Sequence, residues 1–368
     1  MLDVRTLPQR PLPREAFVSE AQLALEHERI FRAEWRYVGH VSQLRAPGSF
    51  LRYELGDDSV LVVRGRDGAL RAMHNVCRHR GARLVTERRG TCAGSIVCPY
   101  HGWAYRLDGG LRGAPRMQPS FRPEGLDLKP VWLEEWNGLV FVSLAADRPA
   151  PIADRLADVP LAPYRLAEAK VAFEQQEEVA ANWKVLWENG LECYHCAVNH
   201  PELRVVVDTT ADGNAAETFE PRDYEYTDDF PLLGAATSVT VDGAPRSRRL
   251  LADGAAPSRV LFLQWHLSAF ELIAAPDHAH LMLYEPLSPG RSRIHTVGLV
   301  HADAQEGVDF DVEQLFELHR VTRGQDNPLC ERVQLGISSP AYEPGPYNDF
   351  FEFPNRNFVR VYQAALAR

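Results

Sequence analysis

Cysteine is scarce in this chain, six in 368 residues, which leaves no framework of disulfides to hold a small secreted fold. No stretch of eighteen apolar residues occurs, so a membrane-spanning helix is not expected. The opening Met1-Leu2-Asp3-Val4-Arg5 lacks the apolar run of a secretory signal, and the cytoplasm is the expected address. Excess positive charge is missing too. The formal net charge is −10, which argues against nonspecific nucleic-acid binding. Glycine-rich dinucleotide fingerprints, flavin motifs and the four-cysteine spacing of a ferredoxin are absent, as are internal repeats. What remains is 45% apolar and 24% charged, a globular composition long enough for two domains.

Two of the cysteines sit in a pattern. Cys77-Arg78-His79 is followed, after eighteen residues, by Cys98-Pro99-Tyr100-His101. Each arm offers one thiolate and one imidazole. A [2Fe–2S] cluster with two Cys on one iron and two His on the other requires that set. Tetrahedral zinc also accepts two Cys and two His, but zinc-finger spacing groups like ligands together. Gly81, Gly90, Gly94 and Gly102 permit close approach of two loops, and Pro99 and Trp103 can shield a metal from water.

Along the chain, residues 13–36 show helical spacing of Leu23, Leu25, Ile30 and Phe31. Short strand-and-turn patterns follow, at 59–64, 70–73, 105–110 and 139–144. A small, Pro-containing boundary lies near 145–151. Beyond it, 182–199 reads as a helix, 205–258 as a weakly patterned loop or lid, and 260–274, 280–284 and 294–300 as strands. Helices are expected at 310–320 and 358–366. The implied division is an N-terminal helical segment 1–36, a β-rich domain 37–148 and a larger domain 149–368.

The expected helix 182–199 carries Glu192, His195 and His200. Glu192 and His195 share a face at i, i+3, and a break near Val198-Asn199 would turn His200 back toward them. Two imidazoles and a carboxylate make a facial triad with open positions on Fe(II). Histidines five apart are also common on helix surfaces. Asp326 and Glu331 are the distant carboxylate candidates; Asp326, two residues before Pro328, is equally readable as a helix N-cap. Cys193 and Cys196 form a C-x-x-C, read as packing residues because no βαβ pattern or second pair accompanies them.

Cys77-Arg78-His79-Arg80-Gly81 with Cys98-Pro99-Tyr100-His101-Gly102-Trp103 resembles the signature of Rieske non-haem iron oxygenase α-subunits. Leu191-Glu192-Cys193-Tyr194-His195 with His200 resembles the same family's mononuclear-iron motif, and its glutamate resembles the branch acting on choline, glycine betaine and carnitine. Gly190 departs from that branch, which usually carries an aromatic there. The resemblance implies an α+β protein: a small β-rich Rieske domain beside a larger helix-grip catalytic domain, antiparallel sheet plus helices. It implies Cys77, His79, Cys98 and His101 as cluster ligands, and His195, His200 and Asp326 as ligands of a mononuclear Fe(II). It further implies a homotrimer in which Glu192 bridges the cluster of one subunit to the iron of another through His101 and His195. O₂ is the implied co-substrate. Electrons would come from NAD(P)H through a separate reductase, with or without a ferredoxin. Tyr224, Tyr226, Phe230, Phe262, Trp265 and Phe270 are the candidate pocket aromatics, able to face a quaternary ammonium. The expected reaction is hydroxylation or oxidative demethylation of an N-methyl or quaternary amine. The alternatives are hydroxylation of an aromatic or natural-product ring, and a Rieske electron carrier without a catalytic iron.

Overall fold

The computed structural model describes residues 6–210, 222–252 and 259–368. The chain divides into two compact units, one spanning Arg32–Leu156 and the other formed by the segments on either side of it.

The Arg32–Leu156 unit is built on an antiparallel seven-stranded sheet. Its order is Arg36–His40, Leu139–Ser143, Pro130–Trp136, Leu70–His74, Asp58–Arg64, Ser49–Leu55 and Arg89–Thr91. Val60, Leu61, Val62 and Val63 are all fully buried, as a continuous β-branched and leucine run demands of a strand covered on both faces. A second, three-stranded sheet joins Ile96–Val97, Ala104–Tyr105 and Leu111–Gly113. Both cysteine-histidine arms are loops at the ends of these strands. Each is closed by a tight turn, with Gly81 N–H donating to the Cys77 carbonyl and Gly102 N–H to that of Cys98. Gly81 and Gly102 have φ of +77° and +74°, a conformation that L side chains rarely adopt, so these two glycines are required by the backbone.

In the other unit, six antiparallel strands run in the order Ala169–Val179, Arg291–His301, Ala279–Ser288, Phe270–Ala274, Leu261–Trp265 and Tyr224–Thr227. The expected strand 260–274 is therefore a hairpin, broken where Ala269 turns with φ +46°. Helices Trp183–Gly190, Glu317–Ser338 and Phe353–Leu366 belong to this unit. The helix expected over 182–199 ends at Gly190 and resumes only for Cys196–Asn199, so Glu192 and His195 lie in the turn between. The expected helix 310–320 is a short Val312–Leu315 turn followed by the 22-residue helix Glu317–Ser338. Pro328 lies inside that helix, which makes Asp326 a mid-helix residue and not an N-cap. At the N-terminal end the helical signal resolves into Glu15–Val18, Glu20–Glu26 and a π-helical His27–Phe31, while residue 36 already opens the first strand. Part of the lid expected at 205–258 lies outside the described residues. Within its described part, Val206, Val207 and Val239 are buried and Tyr224–Thr227 pairs with Leu261–Trp265, while Val205, Leu233 and Leu250 are exposed.

One ion pair anchors the helix that carries the site. Lys184 Nζ lies 2.6 Å from Glu26 Oε1, and both side chains are completely buried. Trp183 Nε1 donates to the second oxygen of Glu26, and the ammonium faces the rings of Phe17, Trp183 and Tyr362. Deleting one partner strands the other charge without water. Lys184→Ala should therefore destabilise the protein by about 3–5 kcal/mol, read as a loss of several degrees in thermal midpoint. A midpoint within a degree of the parent would contradict this account.

Candidate metal centres and the catalytic cavity

In the Arg32–Leu156 unit the four side chains of the paired motif come together. Cys77 and Cys98 are 3% and 2% exposed, within the core that includes Leu84, Ile96, Trp103 and Tyr105. His79 and His101 stand on the exposed side, their Nδ1 atoms 3.1 Å apart. Trp103 stacks on the His79 ring at 4.9 Å, and Tyr105 Oη lies 3.3 Å from Cys77 Sγ. Two thiols inward and two convergent imidazole nitrogens outward fit a cluster whose two irons take unlike ligand pairs.

The second centre forms where the Gly190–Cys196 turn meets helix Glu317–Ser338. His195 Nε2 and His200 Nε2 lie 3.2 and 3.0 Å from the same atom, Asp326 Oδ1. Their other nitrogens are held from behind: His195 Nδ1 by Glu192 Oε1 at 2.6 Å and His200 Nδ1 by Gln325 Oε1 at 2.8 Å. Nδ1 fixed and Nε2 aimed at a shared point is how metal-binding imidazoles are oriented. Burial pushes His195 down, but hydrogen bonds to Asp326 and Glu192 outweigh it and raise it to about 9. Burial likewise opposes ionisation of Asp326, yet His195, His200 and Arg323 hold its carboxyl well below the usual range. The site therefore favours positive charge at its centre, and its donor set fits a 2-His-1-carboxylate iron. Asn189 joins the cluster, with Nδ2 3.2 Å from His195 Nε2 and 3.3 Å from Asp326 Oδ1.

Cys196 also lies within ligand distance of the two histidines, but its sulfur is joined to Cys193 in a disulfide and offers no thiolate. The expectation that both thiols only pack is corrected. Their Cα atoms are 4.9 Å apart, inside the range a disulfide spans. Glu331 turns away: its Oε1 accepts from Ala180 N–H at 3.1 Å.

A cavity of about 500 Å³ opens onto His195, His200 and Asp326. Of the six candidate aromatics, Tyr224, Tyr226, Phe230 and Phe262 line it. Trp265 and Phe270 do not; both are fully buried in the core. The reason is strand parity. Gln264 pairs with Glu271 and Phe262 with Ile273, putting these on the cavity face; Trp265 pairs with Phe270 on the other. The next strand continues the same face with His280 opposite Ile273 and Met282 opposite Glu271. Asn189, Gln264, Glu271, His280 and Arg323 line the cavity and escaped the sequence reading. For Gln264, Glu271 and His280 the signal was present as polar residues at alternate positions of otherwise apolar strands, while Asn189 and Arg323 lie on helices and carried none.

Residues 34–135 match the Rieske [2Fe–2S] domain, and residues 164–368 match the catalytic domain of ring-hydroxylating α-subunits. The glycine betaine monooxygenase oxygenase subunit of Chromohalobacter salexigens is 38% identical, over 96% of this chain and 85% of its own. The carnitine monooxygenase oxygenase subunit of Acinetobacter pittii is 34% identical, over 90% and 86%. In fold, the quaternary ammonium Rieske monooxygenase CntA superposes with a TM-score of 0.80 at 23% identity, covering 99% of this chain and 97% of that one. Naphthalene 1,2-dioxygenase from Rhodococcus sp. gives 0.76 at 19%, covering 97% and 94%. With its paired Cys-His loops and its convergent His-His-Asp centre, the chain belongs to the Rieske non-haem iron oxygenase α-subunits.

Proposed function

We propose that this chain is the terminal oxygenase of a multicomponent system that oxidises an N-methyl group of a small quaternary or tertiary amine, by hydroxylation or demethylation. The observation that carries the reading is the convergence of His195 and His200 on Asp326 at the wall of a cavity with aromatic and charged faces. Relatives named for glycine betaine and carnitine support the substrate class. When bound, the mononuclear iron supplies O₂ activation and the Rieske cluster supplies electrons one at a time.

The protein's own residues do the rest. Cys77, His79, Cys98 and His101 would hold the cluster; His195, His200 and Asp326 would hold the iron. Glu192 and Gln325 keep the two imidazoles in the orientation that leaves Nε2 free for the metal. Phe230 and Phe262, edge to face at 5.5 Å, keep water from one flank of the cavity, and Tyr226 offers a further ring to a cationic nitrogen. The working assembly is a homotrimer in the cytoplasm. In it, the exposed His101 of one subunit meets Glu192 of another, and electrons arrive from a separate reductase. Among the described residues no helix is long and apolar enough to cross a membrane.

Oxygen uptake with a surrogate reductase and a panel of betaines, amines and aromatic acids tests the reading. Uptake should depend on an N-methyl compound and yield formaldehyde where demethylation follows. Uptake driven by aromatic acids alone would replace it with ring hydroxylation.

A further inference from the structure

The two imidazoles of the His-His-Asp centre are held from behind by different chemistry. Glu192 is a carboxylate and accepts only, so its contact with His195 Nδ1 at 2.6 Å requires the ring to carry Nδ1–H. His200 Nδ1 faces an amide instead, Gln325 Oε1 at 2.8 Å. A primary amide accepts through its oxygen and donates through its nitrogen, and turning it over changes its shape very little. With the oxygen toward His200, the ring keeps Nδ1–H and offers the Nε2 lone pair to a metal. With the nitrogen toward His200, Nδ1 must accept and the proton sits on Nε2, where it blocks the metal. The front of the ring favours this second arrangement, because Asp326 Oδ1, 3.0 Å from Nε2, accepts from an Nε2–H. Gln325 by itself therefore leaves the tautomer of His200 open.

The far end of the amide closes the question. Gln325 Nε2 donates to Glu202 Oε2 at 2.6 Å. Glu202 is exposed, two residues beyond His200, and an exposed carboxylate is ionised at neutral pH and accepts only. The amide nitrogen must then point at Glu202 and the oxygen at His200. A hydrogen bond to an ionised acceptor is about twice as strong as one between neutral groups, so the amide is held firmly in this sense. The chain also ties two elements together. Gln325 precedes Asp326 on helix Glu317–Ser338, while His200 and Glu202 follow the short helix Cys196–Asn199. Glu202 and Gln325 stand outside the cavity lining, behind the ring.

We propose that Glu202 is a positioning residue for the mononuclear iron, acting through Gln325: it fixes the amide in the one orientation that keeps His200 as the Nδ1–H tautomer with Nε2 open to the metal. The inference rests on His200 as an iron ligand and is independent of the substrate. One imidazole of the site is thus set by a carboxylate directly and the other by a carboxylate through an amide.

Fe(II) affinity of the full chain with its cluster in place, measured by competition with a chelator, tests the relay without turnover. Gln325→Leu should weaken Fe(II) by about ten- to a hundred-fold, as loss of a ligand's hydrogen-bond partner does. Glu202→Ala frees the amide to turn over and should weaken Fe(II) by about three- to ten-fold, the worth of one hydrogen bond. In the Gln325→Leu background the same Glu202→Ala change should cost less than about two-fold, because its route to the iron is already cut. Exchanging the pair, Glu202→Gln with Gln325→Glu, rebuilds the chain: the carboxylate accepts from His200 Nδ1–H, and the amide donates to the carboxylate. Affinity should return to within about three-fold of the parent. The Rieske absorption of each variant checks its folding; should Gln325→Leu fail that check, Glu202→Ala and the exchange decide. Parental affinity in Glu202→Ala, equal losses in both backgrounds, or an exchange that rescues nothing overturns the relay. His200→Ala separates this failure from a deeper one. If that variant loses the iron, the metal centre stands whatever becomes of Glu202; if it binds Fe(II) like the parent, the ligand assignment falls and the relay with it.

Discussion

Replacing Asp326 by alanine should take the protein from about three iron atoms per chain to about two and end turnover, with the Rieske spectrum intact. The geometry sets both halves of this outcome. Asp326 Oδ1 is the common neighbour of His195 Nε2 and His200 Nε2, so its removal leaves two imidazoles and no carboxylate donor. The Cys77–His101 ligands sit in the Arg32–Leu156 unit, while Asp326 belongs to the other. Glu331→Ala is the matched control. Five residues on, its side chain points elsewhere around the helix and accepts a hydrogen bond from Ala180 N–H. It should keep its iron. If Glu331→Ala lost the mononuclear iron while Asp326→Ala kept it, the third ligand would be misassigned.

The two clusters of candidate ligands were legible in the sequence because metals dictate residue types. Cys77, His79, Cys98 and His101 stand out by identity and spacing, and His195 and His200 by company, and the structure brings each group together. Local backbone was less legible at the same places. Pro328 suggested a helix start at Asp326, yet the helix runs through it, since proline removes one hydrogen bond and the longer helix retains the rest. The helix 182–199 was read through Gly190 because the apolar spacing of Trp183, Leu186 and Trp187 says nothing about where the next five residues turn. The cavity wall was hardest. Trp265 and Phe270 attracted the sequence reading as aromatics, but whether a strand residue faces core or cavity depends on register, fixed only by cross-strand pairing. Glu271 and Arg323 carry no motif. Their place together on one cavity wall is a tertiary fact.

Glu192→Gln should leave both metals bound and the cluster reducible, while slowing substrate oxidation by orders of magnitude. Glu192 Oε1 accepts from His195 Nδ1–H at 2.6 Å, and Oε2 accepts from the backbone N–H groups of Tyr194 and His195. A glutamine keeps a carbonyl oxygen for the imidazole, so His195 should stay in place and retain the iron. What disappears is the negative charge. In the proposed trimer that charge must hold a second imidazole, His101 of a neighbouring subunit, in line with the first. Glu192→Asp keeps the charge on a shorter arm and should recover part of the rate. A carboxylate that merely closes its own turn would predict something else: a small loss of stability and normal electron transfer, because the hydrogen bonds to backbone and ring survive in the amide. Single-turnover oxidation of the pre-reduced cluster, with substrate and O₂ present, separates the two accounts. Parental kinetics in Glu192→Gln would remove Glu192 from the electron path, and the inter-subunit route would need another pair of residues to carry it.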